Sequence, residues 1–498
     1  MQRSTVRTAL ALTAAGLLAA SMISGVAGAA PAERSTPVTI RTPDGMLMSY
    51  IINAKNEAPG HLKQLERAVA RSGGAVVQSW PEIGVVVAHS DREAFRADMV
   101  RYAGKDMHSM GPTRSIAVGE GTPEDVPTPW GPAAARTQGA QPASRSDLRS
   151  SVKSPDAAAV AVADPRESEQ WALKATKADQ AHQVTEGSRD VLVGILDTGV
   201  DNKHPDLAPN FDPAKSVDCT DAGRPDRTEA NWSTGGHGTH VAGIVAAARN
   251  GIGVVGIAPN VRIASVKVAA DWIYPEYVVC GMMWVAAHGF DITNNSYNID
   301  PFDFWCTDQA EQRASVYAVQ KAVTYARDKG IVHTAAAGNH SWDFTKKTTD
   351  SSSPYDGGGA VDRQINSSCK YMHSQLDDMV VVSATTQDGL LASFSDRGLG
   401  IIDVGAPGHQ VLSTINGGGY AKWNGTSMAA PNAAGVLALM KSAHPDWTPD
   451  QLEAALLQQA DDHICAAPQN NTGPACEGTG ENNSYYGEGT VDALDAVR

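Results

Sequence analysis

Six consecutive residues, Val191 to Leu196, are apolar or glycine and end in Asp197-Thr198-Gly199. A run this short and this continuously apolar predicts a parallel strand buried on both faces. A sheet of such strands needs helices on both of its sides, and the chain beyond Trp171 supplies them. Further strands are predicted over 261–268, 292–296, 331–337 and 379–384. Helices are predicted over 277–287, where Pro275-Glu276 opens the turn, over 310–329 and over 433–440. Thr448, Pro449 and Gln451 combine an N-cap, a first-turn proline and a capping glutamine, which starts another helix to Ala460. The expectation is an α/β fold with a largely parallel sheet covered on both faces.

Three motifs fall at the ends of these elements. Asp197 stands at the C-terminal edge of its strand, where open α/β sheets place their sites. Gly235 to Ala248 reads as a glycine-loosened turn, His237, and a helix of small residues. Gly425-Thr426-Ser427-Met428-Ala429-Ala430-Pro431 puts a serine at a helix N-terminus, beside unpaired N–H groups that favour developing negative charge. Pro431 fits such a helix only in or near its first turn, where a missing N–H matters least. Taken singly, the motifs read as a turn aspartate, a capping histidine and a capping serine. Together, in the order Asp, His, Ser, they form the set that serine hydrolysis requires. A zinc site on His237 and His240 is disfavoured, because the His-Glu-x-x-His spacing and its glutamate base are missing.

On these residues the chain resembles subtilisin-type serine proteases, over about residues 165–498. DTGVDNKHPDL from Asp197, HGTHVAGIVAA from His237 and NGTSMAAP from Asn424 carry the resemblance, with AAAGN at 335–339. It implies a serine endopeptidase of three-layer fold with Ser427 as nucleophile, His237 as base, Asp197 as its orienting carboxylate and Asn339 as an oxyanion donor. His240 is then a structural residue. Gly487 to Asp492 resembles the segment that closes the family's catalytic domain. Such enzymes need no cofactor for catalysis and act on proteins or peptides as monomers. Asp206 and Asn250 match two oxygen ligands of a structural calcium site in the family, although both residue types also favour turns.

Residues 1–29 read as a secretory signal: Arg3 and Arg7, an apolar stretch from Ala9 to Ile23, and Ala27-Gly28-Ala29 as the cleavage site. No other stretch approaches a membrane span. The expected product is therefore extracellular and lacks a membrane anchor. Up to residue 165 the chain holds 17 basic and 15 acidic residues, and beyond it 23 and 40. That acidity argues against nucleic-acid binding. The six cysteines all lie in the acidic part, and an even number in a secreted chain predicts disulfides. Cys465 and Cys476 form the expected local pair; the other four allow three connectivities.

Residues 30–118 read as a small α+β module without cysteine. A strand over 46–54, a helix carrying Leu62, Leu65, Ala68 and Val69, a hairpin over 75–88, and a second helix through Met99 are predicted. Ser90 to Glu93 is a capping-box pattern for that second helix. The module resembles the inhibitory propeptide that accompanies subtilisin-type proteases; an unrelated binding domain is the alternative. Residues 119–165 are a Pro-, Ala- and Ser-rich linker that buries too little to order itself. The peptidase-like domain is placed at 166–498.

At Asn295-Ser296-Tyr297-Asn298-Ile299 the chain departs from the family, whose strand edge usually reads Ser-Leu-Gly and pairs with extended substrate. Asn298 replaces the glycine, either narrowing the pocket or taking a left-handed conformation that asparagine tolerates. A narrow processing protease and a non-catalytic secreted binding module remain the competing readings.

Overall fold

A computed structural model describes residues 34–119, 163–357, 359–465 and 475–498. The expected signal peptide and most of the expected linker lie outside these residues. Among the described residues no helix is long and apolar enough to cross a membrane.

The larger module is built on an eight-stranded sheet. Across it the order is Val404–Pro407, Val380–Thr385, Val332–Ala336, Ile292–Asn295, Leu192–Asp197, Arg262–Lys267, Val217–Asp221 and Arg224–Asp226. Every neighbouring pair is parallel except the last. Alternation along Leu192–Asp197 explains the layering. Leu192 and Leu196 join the core shared with the helices Pro275–His288 and Ala310–Asp328. Val193 and Ile195 join the core shared with the helices Gly236–Ala246 and Thr426–Ala443. Both faces of one strand are thus buried, as its uninterrupted apolar run requires. This is the three-layer α/β fold expected.

Leu192–Asp197 enters the sheet first, and later strands add on both of its sides. The chain passes over it between Arg262–Lys267 and Ile292–Asn295, which makes a topological switch at the C-terminal ends of these strands. A hairpin missed by the sequence reading, Val411–Ile415 with Gly419–Trp423, leads into the Thr426–Ala443 helix. The predicted cap at Thr448 forms in full, with Thr448 and Gln451 capping each other at the start of Pro449–Gln458.

Three disulfides close the module: Cys219–Cys280, Cys306–Cys369 and the expected local pair Cys465–Cys476.

The N-terminal module has a four-stranded sheet in the order Ala75–Trp80, Val85–Ser90, Met48–Ala54, Met107–Pro112, with helices Pro59–Arg71 and Phe95–Ala103. The strand Met107–Pro112 was not foreseen. The capping box at Ser90 is corrected too: the second helix starts at Phe95 without a side-chain cap. Ser90 Oγ instead donates to Gly73 O and accepts from Arg92 N–H. The sheet lies against Ala310–Asp328, where Asn53 Nδ2 donates to Ala314 O at 2.9 Å and Arg96 pairs with Glu311.

Candidate active site

Asp197 closes its strand fully buried, and His237 occupies the first turn of Gly236–Ala246. His237 Nδ1 lies 2.8 and 2.9 Å from the two Asp197 carboxylate oxygens. Gly238 makes this approach feasible. A Cβ there would stand 2.2 Å from Gly199 O and 3.0 Å from the Asp197 Cβ. His240, one turn on, stacks on Trp423 at 4.5 Å and places Nε2 3.0 Å from Ala421 O. Burial lowers its pKa to about 3, so it stays neutral.

Ser427 is the second residue of Thr426–Ala443 and is 4 % exposed. Pro431 lies in the helix interior rather than its first turn. Its missing N–H would ordinarily serve the carbonyl of Ser427, four residues back. Ser296 Oγ donates to that carbonyl at 3.1 Å, and Ser427 Oγ lies 3.5 Å from Ser296 O. Ser296 follows the strand Ile292–Asn295, so the nucleophile candidate is tied to the strand edge at both ends.

Thr426 N–H and Oγ1–H donate to Asn339 Oδ1 at 2.8 and 3.0 Å, which turns the Asn339 amide nitrogen the other way. Gly425 marks where it points. A Cβ at Gly425 would sit 3.5 Å from Ser427 N and 3.7 Å from Asn339 Nδ2, so two N–H donors border one small space. The φ of 154° at Gly425 reserves that position for glycine.

Asp396, unremarked in the sequence, clamps the Asn339 loop. Its N–H donates to Gly338 O at 2.9 Å, and its Oδ1 accepts from the N–H groups of His340 (2.9 Å) and Trp342 (2.7 Å). His340 Nδ1 lies 3.4 Å from Oδ2. Burial would lower the His340 pKa, but Asp396, and then Asp303, hold it above the usual histidine range.

Asn298 keeps a negative φ, which removes the left-handed alternative. Its Nδ2 donates to Tyr355 OH at 2.9 Å. Tyr297 is buried, donates to Asn295 Oδ1 at 3.1 Å and meets His373 edge-on.

Asp206 and Asn250 face the same loop, and Asp164, not singled out in the sequence, joins them. Asp206 Oδ2 accepts from Val254 N–H, Asp164 Oδ1 accepts from Gly251 N–H, and Asn250 caps the loop through Ile252 N–H. Asp206 Oδ1 and Asp164 Oδ2 are buried without a partner. Burial first, with the charge of Asp164 acting on Asp206 and that of Glu167 on Asp164, raises both carboxyls to about 6. Buried carboxylate oxygens left unpaired suit a hard cation.

The chain matches the family model described as Subtilase family over residues 188–489. It is 31% identical over 334 residues to M-protease of Shouchella clausii, covering 66% of this chain and 70% of that one. It is 32% identical over 288 residues to subtilisin E of Bacillus subtilis, covering 57% and 64%. Among solved structures, the epidermin leader peptide processing serine protease of Staphylococcus aureus superposes with a TM-score of 0.63 at 21% identity, covering 91% of this chain and 98% of that one. Fervidolysin of Fervidobacterium pennivorans gives 0.60 at 21%, covering 91% and 61%. The chain belongs to the subtilase family and is a subtilisin-type serine endopeptidase.

Proposed function

We propose that this protein is a secreted endopeptidase that hydrolyses peptide bonds through Asp197, His237 and Ser427, with Asn339 serving the oxyanion. The observation that carries this reading is the buried Asp197–His237 pair, and a helix-terminal serine whose N–H and the Asn339 amide border one space supports it. Ser427 Oγ attacks the scissile carbonyl carbon as His237 Nε2 takes its proton. Asp197 holds the Nδ1–H tautomer and stabilises the imidazolium. The oxyanion forms against Ser427 N–H and Asn339 Nδ2, donors already in place before charge develops. His237 returns the proton to the leaving amine, and water then hydrolyses the acyl-enzyme by the same route. The contact of Asn298 with Tyr355 favours narrow specificity within this reading.

Asp206, Asn250 and Asp164 would hold a structural calcium, which supplies charge balance for two buried carboxylates and takes no part in the chemistry. The N-terminal module acts as an inhibitor and folding aid that the enzyme removes by cutting between about Met107 and Glu167, on the C-terminal side of the strand Met107–Pro112 and of Arg114, which belong to the module. The test is N-terminal sequencing of secreted protein from a host lacking other proteases. Wild type is trimmed in that interval and hydrolyses peptides, whereas Ser427→Ala accumulates as intact precursor. Identical trimming of both overturns self-processing, and peptide hydrolysis by Ser427→Ala overturns the role of Ser427.

A further inference from the structure

We propose that the larger module carries a subsite for an arginine side chain of the substrate, built from Glu276, Tyr274, Tyr277 and Asp356 and filled in the precursor by Arg114. The proposal rests on the peptidase reading above and extends it to a substrate class.

Glu276 lies in the first turn of Pro275–His288 and is completely buried. A buried carboxylate needs partners, and those of its Oε1 all come from the N-terminal module. Ser49 Oγ donates at 2.9 Å, Thr113 Oγ1 at 3.0 Å and Arg114 Nη2 at 2.5 Å. Its Oε2 is buried without a partner. Among the described residues, the cation paired with Glu276 is Arg114. Once the module leaves, the larger module keeps a carboxylate that has lost its counter-charge.

The walls of the pocket suit a guanidinium. Arg114 lies 3.9 Å above the centre of the Tyr274 ring, and Nη2 reaches Tyr277 OH at 3.4 Å. A planar cation stacks on one ring while donating in its own plane, which a lysine ammonium cannot do. The backbone beside it is held too. Ser115 N–H donates to Asp356 Oδ2 at 2.8 Å, its hydroxyl donates to the other oxygen, and Tyr274 OH donates to Oδ2 at 3.3 Å. The side chain of Arg114 and the main chain of the residue after it are therefore both held by the larger module.

The pocket also connects to the reacting centre. Ser427 contacts Ser296, and two residues on, Asn298 donates to Tyr355, the neighbour of Asp356. The proposal places the substrate along this edge, with its arginine in the pocket on one side of the scissile bond.

The test uses the secreted product of the full chain and decapeptides in which one arginine, or the neutral isostere citrulline, is moved position by position. Wild type should favour arginine by about 10-fold or more in kcat/KM at one position, the scale of a stacked, charge-assisted contact. Glu276→Gln should bring that ratio to within about twofold of one. Tyr274→Leu should lower it as well, and decides the matter if Glu276→Gln is not secreted. A ratio near one at every position in wild type, or a preference that survives these substitutions, would mean that the pocket only anchors the N-terminal module. Cleavage of the citrulline peptides reports the peptidase activity separately, so failure of that reading shows as no cleavage at all.

Discussion

Replacing Ser296 by alanine should reveal how the strand edge holds the nucleophile. Pro431 deprives the Ser427 carbonyl of its helical donor, and Ser296 Oγ supplies one at 3.1 Å in a fully buried setting. Leaving a buried carbonyl without that bond destabilises by about 1–3 kcal/mol. The catalytic effect follows from position: the Ser427 carbonyl and Oγ belong to one residue, so a carbonyl that drifts towards a new partner carries Oγ with it. A misplacement approaching 1 Å lowers turnover by up to about 100-fold. Ser296→Ala should therefore lose about 10- to 100-fold in kcat on a peptide anilide, with a smaller change in KM and a lower unfolding midpoint. Ser296→Thr keeps the hydroxyl and should restore most of the turnover. An alanine variant with unchanged kcat and midpoint would refute the argument, and so would a loss confined to KM.

Asp396→Asn should lower kcat more than it raises KM, because it loosens the loop that aims Asn339 at charge present mainly in the transition state. The His340–Asp396 pair gives a matching pH signature. The folded-state pKa of His340 is raised, so its stabilisation is complete below about pH 6.5 and is lost as pH rises through the folded value. The gap in unfolding midpoint between wild type and His340→Gln should shrink over that rise; a gap that widens contradicts the pairing. Chelation of calcium should lower the midpoint, by an amount corresponding to about 2.7 kcal/mol when the ion had been at a hundred times its Kd. Asp206→Asn should abolish that response, and a wild type indifferent to both calcium and chelator would remove the ion from the account.

What could be read from the sequence was local. Asp197, His237 and Ser427 each sit at the end of an element, next to glycines that signal close approach, and the Thr448–Gln451 cap is contained in four residues. The strand Met107–Pro112 was invisible because Met-His-Ser-Met-Gly-Pro has little strand propensity. It forms by pairing with Met48–Ala54 and packing on Ala310–Asp328, a tertiary effect that overrides propensity. The capping pattern at Ser90 misled for the converse reason: its hydroxyl found Gly73 O instead of the helix. Ser296 was legible as part of the substrate edge but not as the donor that makes Pro431 tolerable. Asp396 and Asp164 act on partners 56 and 87 residues away, and no local pattern announces such contacts.

The central claim is that Ser427 is a nucleophile activated by His237, and covalent labelling tests it most directly. A fluorophosphonate should modify wild-type protein on Ser427, located by mass spectrometry of the peptide that contains it. Labelling should vanish in Ser427→Ala and slow by orders of magnitude in His237→Ala. Folded wild-type protein that takes no label, or takes it on a serine other than Ser427, would contradict the account.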